Sequence, residues 1–219
     1  MGLKLKTAPT GKVFTAEEIG NYLKIETDDV DAESKLLEDI IDGAMSFFET
    51  ETNRQLLTAT YEFYLDGFFN RGDLYFQPEV DYGYRRHHAR VELCERSIIL
   101  PRPPLQSIVS VKYLNIEAVL TTLDTAVYEA DVSSDPGNLR LKYNQVWPEV
   151  LSHQDVVTVE FRAGYGEPSQ LPFDVKHGLR QLIAHMYFHR MPVITGTIAT
   201  ELPLGLQRVI NNFKFRNYI

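Results

Sequence analysis

Thr52-Asn53-Arg54-Gln55-Leu56-Leu57-Thr58-Ala59-Thr60-Tyr61-Glu62-Phe63-Tyr64-Leu65 is the stretch where the hydrophobic period of this chain changes. Before it, Leu36, Leu37, Ile40, Ile41, Ala44, Phe47 and Phe48 recur at helical intervals. That recurrence aligns one apolar face of a long helix from Asp31 to about Thr52, with Asp31 as its N-cap. From Ala59 onward, Ala59, Tyr61, Phe63 and Leu65 alternate with Thr60, Glu62 and Tyr64. A period of two is what a strand with one buried face requires.

The same logic extends in both directions. Ile98 to Leu100 is a short apolar run, Val109, Val111 and Tyr113 alternate with Ser110 and Lys112, and Val157, Val159 and Phe161 alternate with Thr158, Glu160 and Arg162. Short strands near Tyr128 and Leu139 are divided by the turn-forming Ser134-Asp135-Pro136-Gly137. Pro172 suits the first turn of a second long helix, whose stripe is Val175, Leu179, Leu182, Ile183, Met186 and Tyr187 and which should end before Pro192. Leu206, Val209 and Ile210 suggest a short helix ahead of the tail Phe213-Lys214-Phe215-Arg216-Asn217-Tyr218-Ile219. Upstream, Thr15-Ala16-Glu17-Glu18 has the spacing of a capping box that opens a short helix. Helices, then strands, then helices favour α+β over an alternating α/β arrangement.

Composition bounds the function. With 219 residues, 44% hydrophobic, the chain can bury a real core, and one domain over residues 1–219 is expected. The balance of 30 acidic against 22 basic residues, a formal charge of -8, argues against a surface built to neutralise phosphates. The single cysteine, Cys94, excludes an internal disulfide and any multi-cysteine zinc site, which suits a reducing compartment. Met1 to Lys6 carries basic residues but no following apolar run, so it does not read as a signal peptide, and no segment approaches the roughly 20 apolar residues of a membrane span. The protein is expected to be soluble and cytoplasmic when made, without a membrane partner.

Candidate chemistry is sparse. His185 and His189 stand four apart, a spacing at which two imidazoles could share a metal, but positions 186 and 187 are Met and Tyr and supply no general base. Packed or surface histidines are the better reading. His87 and His88 with Cys94 fall short of the two spaced ligand pairs of structural zinc. Gly164-Tyr165-Gly166 follows a strand and precedes a helix, yet Ser169 stands where a dinucleotide loop has its third glycine, so turn chemistry is expected. Asp28, Asp29 and Asp31 lie ahead of a helix, where they complement its dipole. No catalytic, cofactor-binding or metal-binding residue is therefore assigned, no cofactor is expected, and a small metal-dependent enzyme is kept only as an alternative. The least regular stretch, 67–96, crowds Tyr84, Arg85, Arg86, His87, His88 and Arg90 together. It is either a contact arm, since Tyr and Arg supply area and planar hydrogen bonding at interfaces, or a solvated insertion.

Ile98-Ile99-Leu100-Pro101-Arg102-Pro103-Pro104-Leu105-Gln106-Ser107-Ile108-Val109-Ser110-Val111 closely resembles the middle of tailed-phage head-to-tail connector (head completion, or adaptor) proteins. The helix exit and first strand at 52–62, the turn Phe161-Arg162-Ala163-Gly164-Tyr165-Gly166, and Leu171-Pro172 followed by Leu182-Ile183-Ala184-His185 are similar to that family's features and stand in its order, over roughly residues 16–212. The resemblance implies a mainly α-helical bundle, with helices at about 15–53 and 172–212. The bundle would pack beside a small antiparallel β-domain at about 55–163; where the family commonly has a short link between its first two strands, this chain departs from the pattern with the long inserted loop or hairpin 67–96. It further implies a non-enzymatic virion protein of the neck. Such a protein forms a homo-oligomeric, dodecameric ring below the portal protein, extends the channel through which genomic DNA passes without sequence-specific binding, and docks stopper or tail proteins. A stopper or tail terminator is the alternative within the virion. Candidate partner-binding residues are Tyr84, Arg85, Arg86, His87, His88 and Arg90 in the insertion and Phe213, Lys214, Phe215, Arg216 and Tyr218 in the tail. The prolines around Arg102 are expected to hold an extended, stiff backbone that ends a strand.

Overall fold

A computed structural model of the chain describes residues 1–68, 97–189 and 203–215. In order, the elements are β1 (Gly2–Thr7), α1 (Ala16–Leu23), α2 (Thr27–Thr52), β2 (Ala59–Leu65), β3 (Ser97–Ile99), β4 (Leu105–Leu114), β5 (Leu120–Thr122), β6 (Tyr128–Asp131), β7 (Asn138–Leu141), β8 (Val157–Ala163), α3 (Phe173–Phe188) and α4 (Leu204–Phe213). None of the described helices is long and apolar enough to cross a membrane. Contacts divide the chain into two compact units, one holding residues 1–8 and 58–164 and the other residues 9–57 and 165–215.

The first unit is all β. Five strands form an antiparallel sheet in the order β1-β2-β8-β4-β5, and three more form a second sheet in the order β3-β7-β6. The alternation read in the sequence is realised in β2, where Ala59, Tyr61, Phe63 and Leu65 are buried, and in β8, where Val157, Val159, Phe161 and Ala163 are. The two strands pair without a slip from Ala59↔Ala163 to Leu65↔Val157, so their apolar faces coincide. Tyr61 and Phe161 stack at 5.8 Å on that face. Ile98, Leu139 and Tyr128 of the second sheet join the same core.

The alternation of β4 is broken, for a local reason. Its register against β8 shifts between Leu105 and Ser107 and again between Ile108 and Ser110. Each bulge sets two residues against one and turns the next side chain to the other face. Val111 is therefore fully buried while Val109, expected on the same face, is 46% exposed. The proline segment also departs from expectation. Arg102 sits in the left-handed region at φ 60 and the Pro103-Pro104 bond is cis, so the chain turns between β3 and β4 and is not extended there.

The second unit is helical. Thr15 and Glu18 form the expected capping box, with Thr15 Oγ1 accepting from the Glu18 amide at 3.1 Å and the Glu18 carboxylate accepting from the Thr15 amide at 3.0 Å. Helix α2 starts one turn earlier than expected, at Thr27 after Glu26, which leaves Asp31 inside the helix. Leu37, Ile41, Ala44 and Phe48 of α2 are fully buried and pack with Leu179, Leu182 and Ile183 of α3 and Leu206 of α4. Tyr187 of α3 donates to Glu33 of α2 at 2.8 Å, and Arg180 lies over the buried Phe14 ring at 4.8 Å.

The α+β class stands, but the expected dominance of a helical bundle over a small β-domain is overturned. Helix makes up 35% and strand 26% of the structure, in four helices and two antiparallel sheets among the described residues. Among the described residues, seventeen buried residues form the β core against eighteen in the helical one, so neither is an appendage of the other. Two strands hid from the sequence reading, because β5 has only three residues and β1 is exposed along its whole length, whereas β3 falls on the short apolar run at Ile98.

Two consequences are measurable. A Cβ on Gly178 would come within 2.9 Å of Val209 Cγ1, which is how closely α3 and α4 approach. Gly178→Leu should therefore destabilise the protein by about 1–3 kcal/mol in chemical denaturation. Asp131, whose side chain is 8% exposed, accepts from Ser133 Oγ at 2.6 Å and Ser134 Oγ at 2.5 Å and pairs with Arg140. The two serine hydroxyls, helped by Arg140, hold its carboxyl below the usual aspartate range. A depressed folded-state pKa contributes stability above the ordinary value of about 4, and that contribution is lost as the pH falls below it. Denaturation midpoints of the native protein should thus drop more steeply below about pH 4 than those of Asp131→Asn, which should be the less stable of the two at neutral pH.

Candidate functional site

The insertion residues Tyr84, Arg85, Arg86, His87, His88 and Arg90 lie outside the described residues, as do Arg216 and Tyr218 of the tail and Cys94. The start of the insertion is described and belongs to the β core. Phe68 is buried, stacked on Trp147 at 4.6 Å and edge-on to Tyr113 at 5.8 Å. The core therefore reaches past the expected start of the insertion at residue 67. Nearby, the Asp66 carboxylate accepts from the Asp155 amide at 3.1 Å.

The described part of the tail packs on its own unit. Phe213 is partly buried against the helical core. Its carbonyl, at the C-terminal end of α4, accepts from Arg54 Nε at 2.6 Å. Phe215 donates its amide to the Thr52 carbonyl at 2.7 Å and accepts from Asn53 Nδ2 at 3.3 Å, while Lys214 reaches Glu51 at 3.5 Å. The exit of α2 thus supplies hydrogen bonds to the end of α4, and a guanidinium at a helix C-terminus also complements the dipole.

The histidine pair is packed face to face. The His185 and His189 rings stack with centroids 4.4 Å apart, and His189 Nδ1 lies 3.0 Å from the His185 carbonyl. Burial, and then the neighbouring His189, push the His185 pKa below its ordinary value, which favours the neutral form of that ring. Among the described residues no group of three or more His, Cys, Asp or Glu side chains could hold a metal ion. Gly164 and Gly166 have φ of 121 and 112, so this motif makes a turn. Glu167 and Gln170 then cap the 3-10 turn Pro168–Gln170 that leads into α3.

The remaining surface suggests contacts rather than chemistry. The hairpin between β4 and β5 is rigid, since Asn115 Oδ1 accepts from the amides of Glu117 at 3.0 Å and Val119 at 2.9 Å. It presents Ile116, Val119 and Leu120, each more than half exposed. At the opposite edge of that sheet, β1 pairs, among the described residues, only with β2 and has all six residues exposed. Neither feature was expected, although the alternating Leu3-Lys4-Leu5-Lys6 carried a strand signal.

No family model matches this chain, and no curated protein does. Solved structures do. The chain is similar to one in the neck of an empty gene transfer agent (GTA) particle computed with C6 symmetry, with a TM-score of 0.69 and 19% identity over 99% of this chain and 97% of that one. A chain in the virion of a native GTA particle matches equally, at TM-score 0.69, 19% identity and the same coverage. A chain in the neck of a native GTA particle computed with C12 symmetry follows at TM-score 0.65 and 18% identity, again over 99% and 97%. The fold is one found in gene transfer agent necks. It is shared from end to end, both units included.

The hydrogen bonds at the end of α4 predict a measurable cost. Arg54→Ala removes the donor to the Phe213 carbonyl, and thermal or chemical denaturation should register a loss of about 1–3 kcal/mol.

Proposed function

We propose that this chain is a non-enzymatic structural protein of a phage-like virion neck, a head-to-tail connector whose copies form a ring, dodecameric when assembled, below the portal. The reading rests on one observation: the fold is shared over 99% of the chain with chains of neck assemblies. That one of those necks was computed with C12 symmetry supports the ring and its number. In this reading the two units make up one connector domain over residues 1–219. The chain passes from one unit to the other at residues 8–9, 57–58 and 164–165, so neither unit is a continuous piece of sequence. The ring extends the DNA channel and offers a docking surface to stopper or tail proteins.

The charge of the helical unit suits a conduit. Helix α2 carries nine acidic residues and one lysine between Thr27 and Thr52. Such a surface repels phosphates and makes no sequence-specific contact, so DNA passes it without being held. Insertion residues Tyr84, Arg85, Arg86, His87, His88 and Arg90, and tail residues Arg216 and Tyr218, are the proposed partner contacts. Phe213, Lys214 and Phe215 hold the tail to its own helical unit and so fix the point from which its last residues reach a partner.

Mixing the purified protein with its cognate portal ring should add a ring under the portal, visible by mass photometry and negative-stain microscopy. No association, with a portal that accepts another neck protein, would move this chain to a different virion component. Removing residues 213–219 should lower both stability and attachment, because the bonds to Thr52, Asn53 and Arg54 go with them. Removing only 216–219 leaves those bonds in place and should weaken attachment, and unchanged attachment would sink the docking role of the tail.

A further inference from the structure

The first strand is held in an unusual way. β1 pairs with β2 along its backbone from Gly2↔Tyr64 to Thr7↔Thr60, yet it buries no side chain, and Leu3 and Leu5 are 38% and 47% exposed. Its side-chain anchor is Lys6, whose ammonium lies 3.0 Å from Glu62 on β2 and 2.8 Å from Glu160 on β8. Glu62 and Glu160 face each other directly across the two strands. Like charges in that position repel, and Lys6 neutralises the pair. The covered strand is different in kind: β2 buries Ala59, Tyr61, Phe63 and Leu65, and its edge would otherwise be an open template for pairing. After Thr7 the exposed or half-exposed link Ala8-Pro9-Thr10-Gly11-Lys12 leads to Val13 and Phe14, both buried in the helical unit. β1 is therefore a cover that β2 requires, attached to the rest of the chain by a link that can extend about 17 Å.

We infer that β1 is an exchange strand: in the assembled ring it covers β2 of a neighbouring copy of this chain, placing its Lys6 between that copy's Glu62 and Glu160. This rests on the ring reading given above and names the contact that ties the copies together. Exchange of an identical element costs little, because every hydrogen bond and ion pair broken within one copy is remade with the next. β1 also gives up no core packing when it leaves, since it has none. A head-to-tail exchange of this kind is heterologous, and such contacts make a ring when the rotation from copy to copy closes, as the ring reading requires.

The test uses cysteine pairs in a Cys94→Ser parent. Lys4 and Glu62 are direct cross-strand partners, and Gly2 and Tyr64 are another such pair, a spacing that admits a disulfide. Lys4→Cys/Glu62→Cys and, independently, Gly2→Cys/Tyr64→Cys are assembled on the cognate portal under reducing conditions, oxidised, and run on denaturing gels without reductant. Exchange predicts a ladder of covalent multimers from the assembled ring, while the unassembled double variants give crosslinks within single chains. Rings from which both pairs yield only single chains overturn the exchange and leave the ring reading intact. If the Cys94→Ser parent forms no ring at all, the ring reading falls and the exchange falls with it.

Discussion

The pairing of β8 with two partners at once is the constraint on which the β unit depends. Val157, Val159, Phe161 and Ala163 point to the core from a strand bonded to β2 on one side and β4 on the other. Because side chains alternate with a period of two, a slip of one residue on either side would turn an apolar row to solvent. The in-register match with β2 prevents this on one side. On the other, β4 accommodates two bulges and still delivers Val111 and Leu105 to the core. The polar row on the opposite face, Glu160 with Glu62 and Lys6, is a by-product of the same register.

In the helical unit the comparable constraint is the exit of α2. Thr52 is fully buried, donates its hydroxyl to the Phe48 carbonyl at 2.6 Å and offers its own carbonyl to the Phe215 amide. Asn53 follows in the left-handed conformation, which ends the helix, and the Leu56 carbonyl accepts from the Tyr165 amide at 2.9 Å. Glu49 turns back to accept from the Leu56 amide at 2.9 Å and from Gln55 at 2.7 Å. Segments far apart in sequence thus meet at the end of one helix, so the stretch where the hydrophobic period changes is also where the helical unit is tied together.

The neck role proposed above calls for surfaces more than pockets. The rigid β4–β5 hairpin and the exposed β1 edge expose apolar or pairing groups that a solitary protein usually protects. The histidines and glycines that could have indicated catalysis have structural uses: His185 and His189 stack, and Gly164 and Gly166 turn the chain.

What the sequence determined by itself is what local periodicity and capping can encode. The capping box at Thr15, the stripes of α2 and α3, the alternation of β2 and β8, and the turn at Gly164 to Gly166 each follow from residues close together in the chain, and the α+β class follows from their order. The resemblance of the 98–111 motif indicated a neck protein, and the chain's fold is one found in chains of neck assemblies, while the helical dominance that the resemblance implied was wrong. Tertiary structure alone decided the rest. The bulges of β4 arise only against β8, which is why Val109 turned out exposed. The three-residue β5 exists only because a neighbour completes its ladder. β1 has no core face, so the alternation of Leu3-Lys4-Leu5-Lys6 could not tell that it pairs with β2. Phe213 to Phe215 looked free for a partner because the carbonyls and side chains that hold them lie about 160 positions away, at the end of α2.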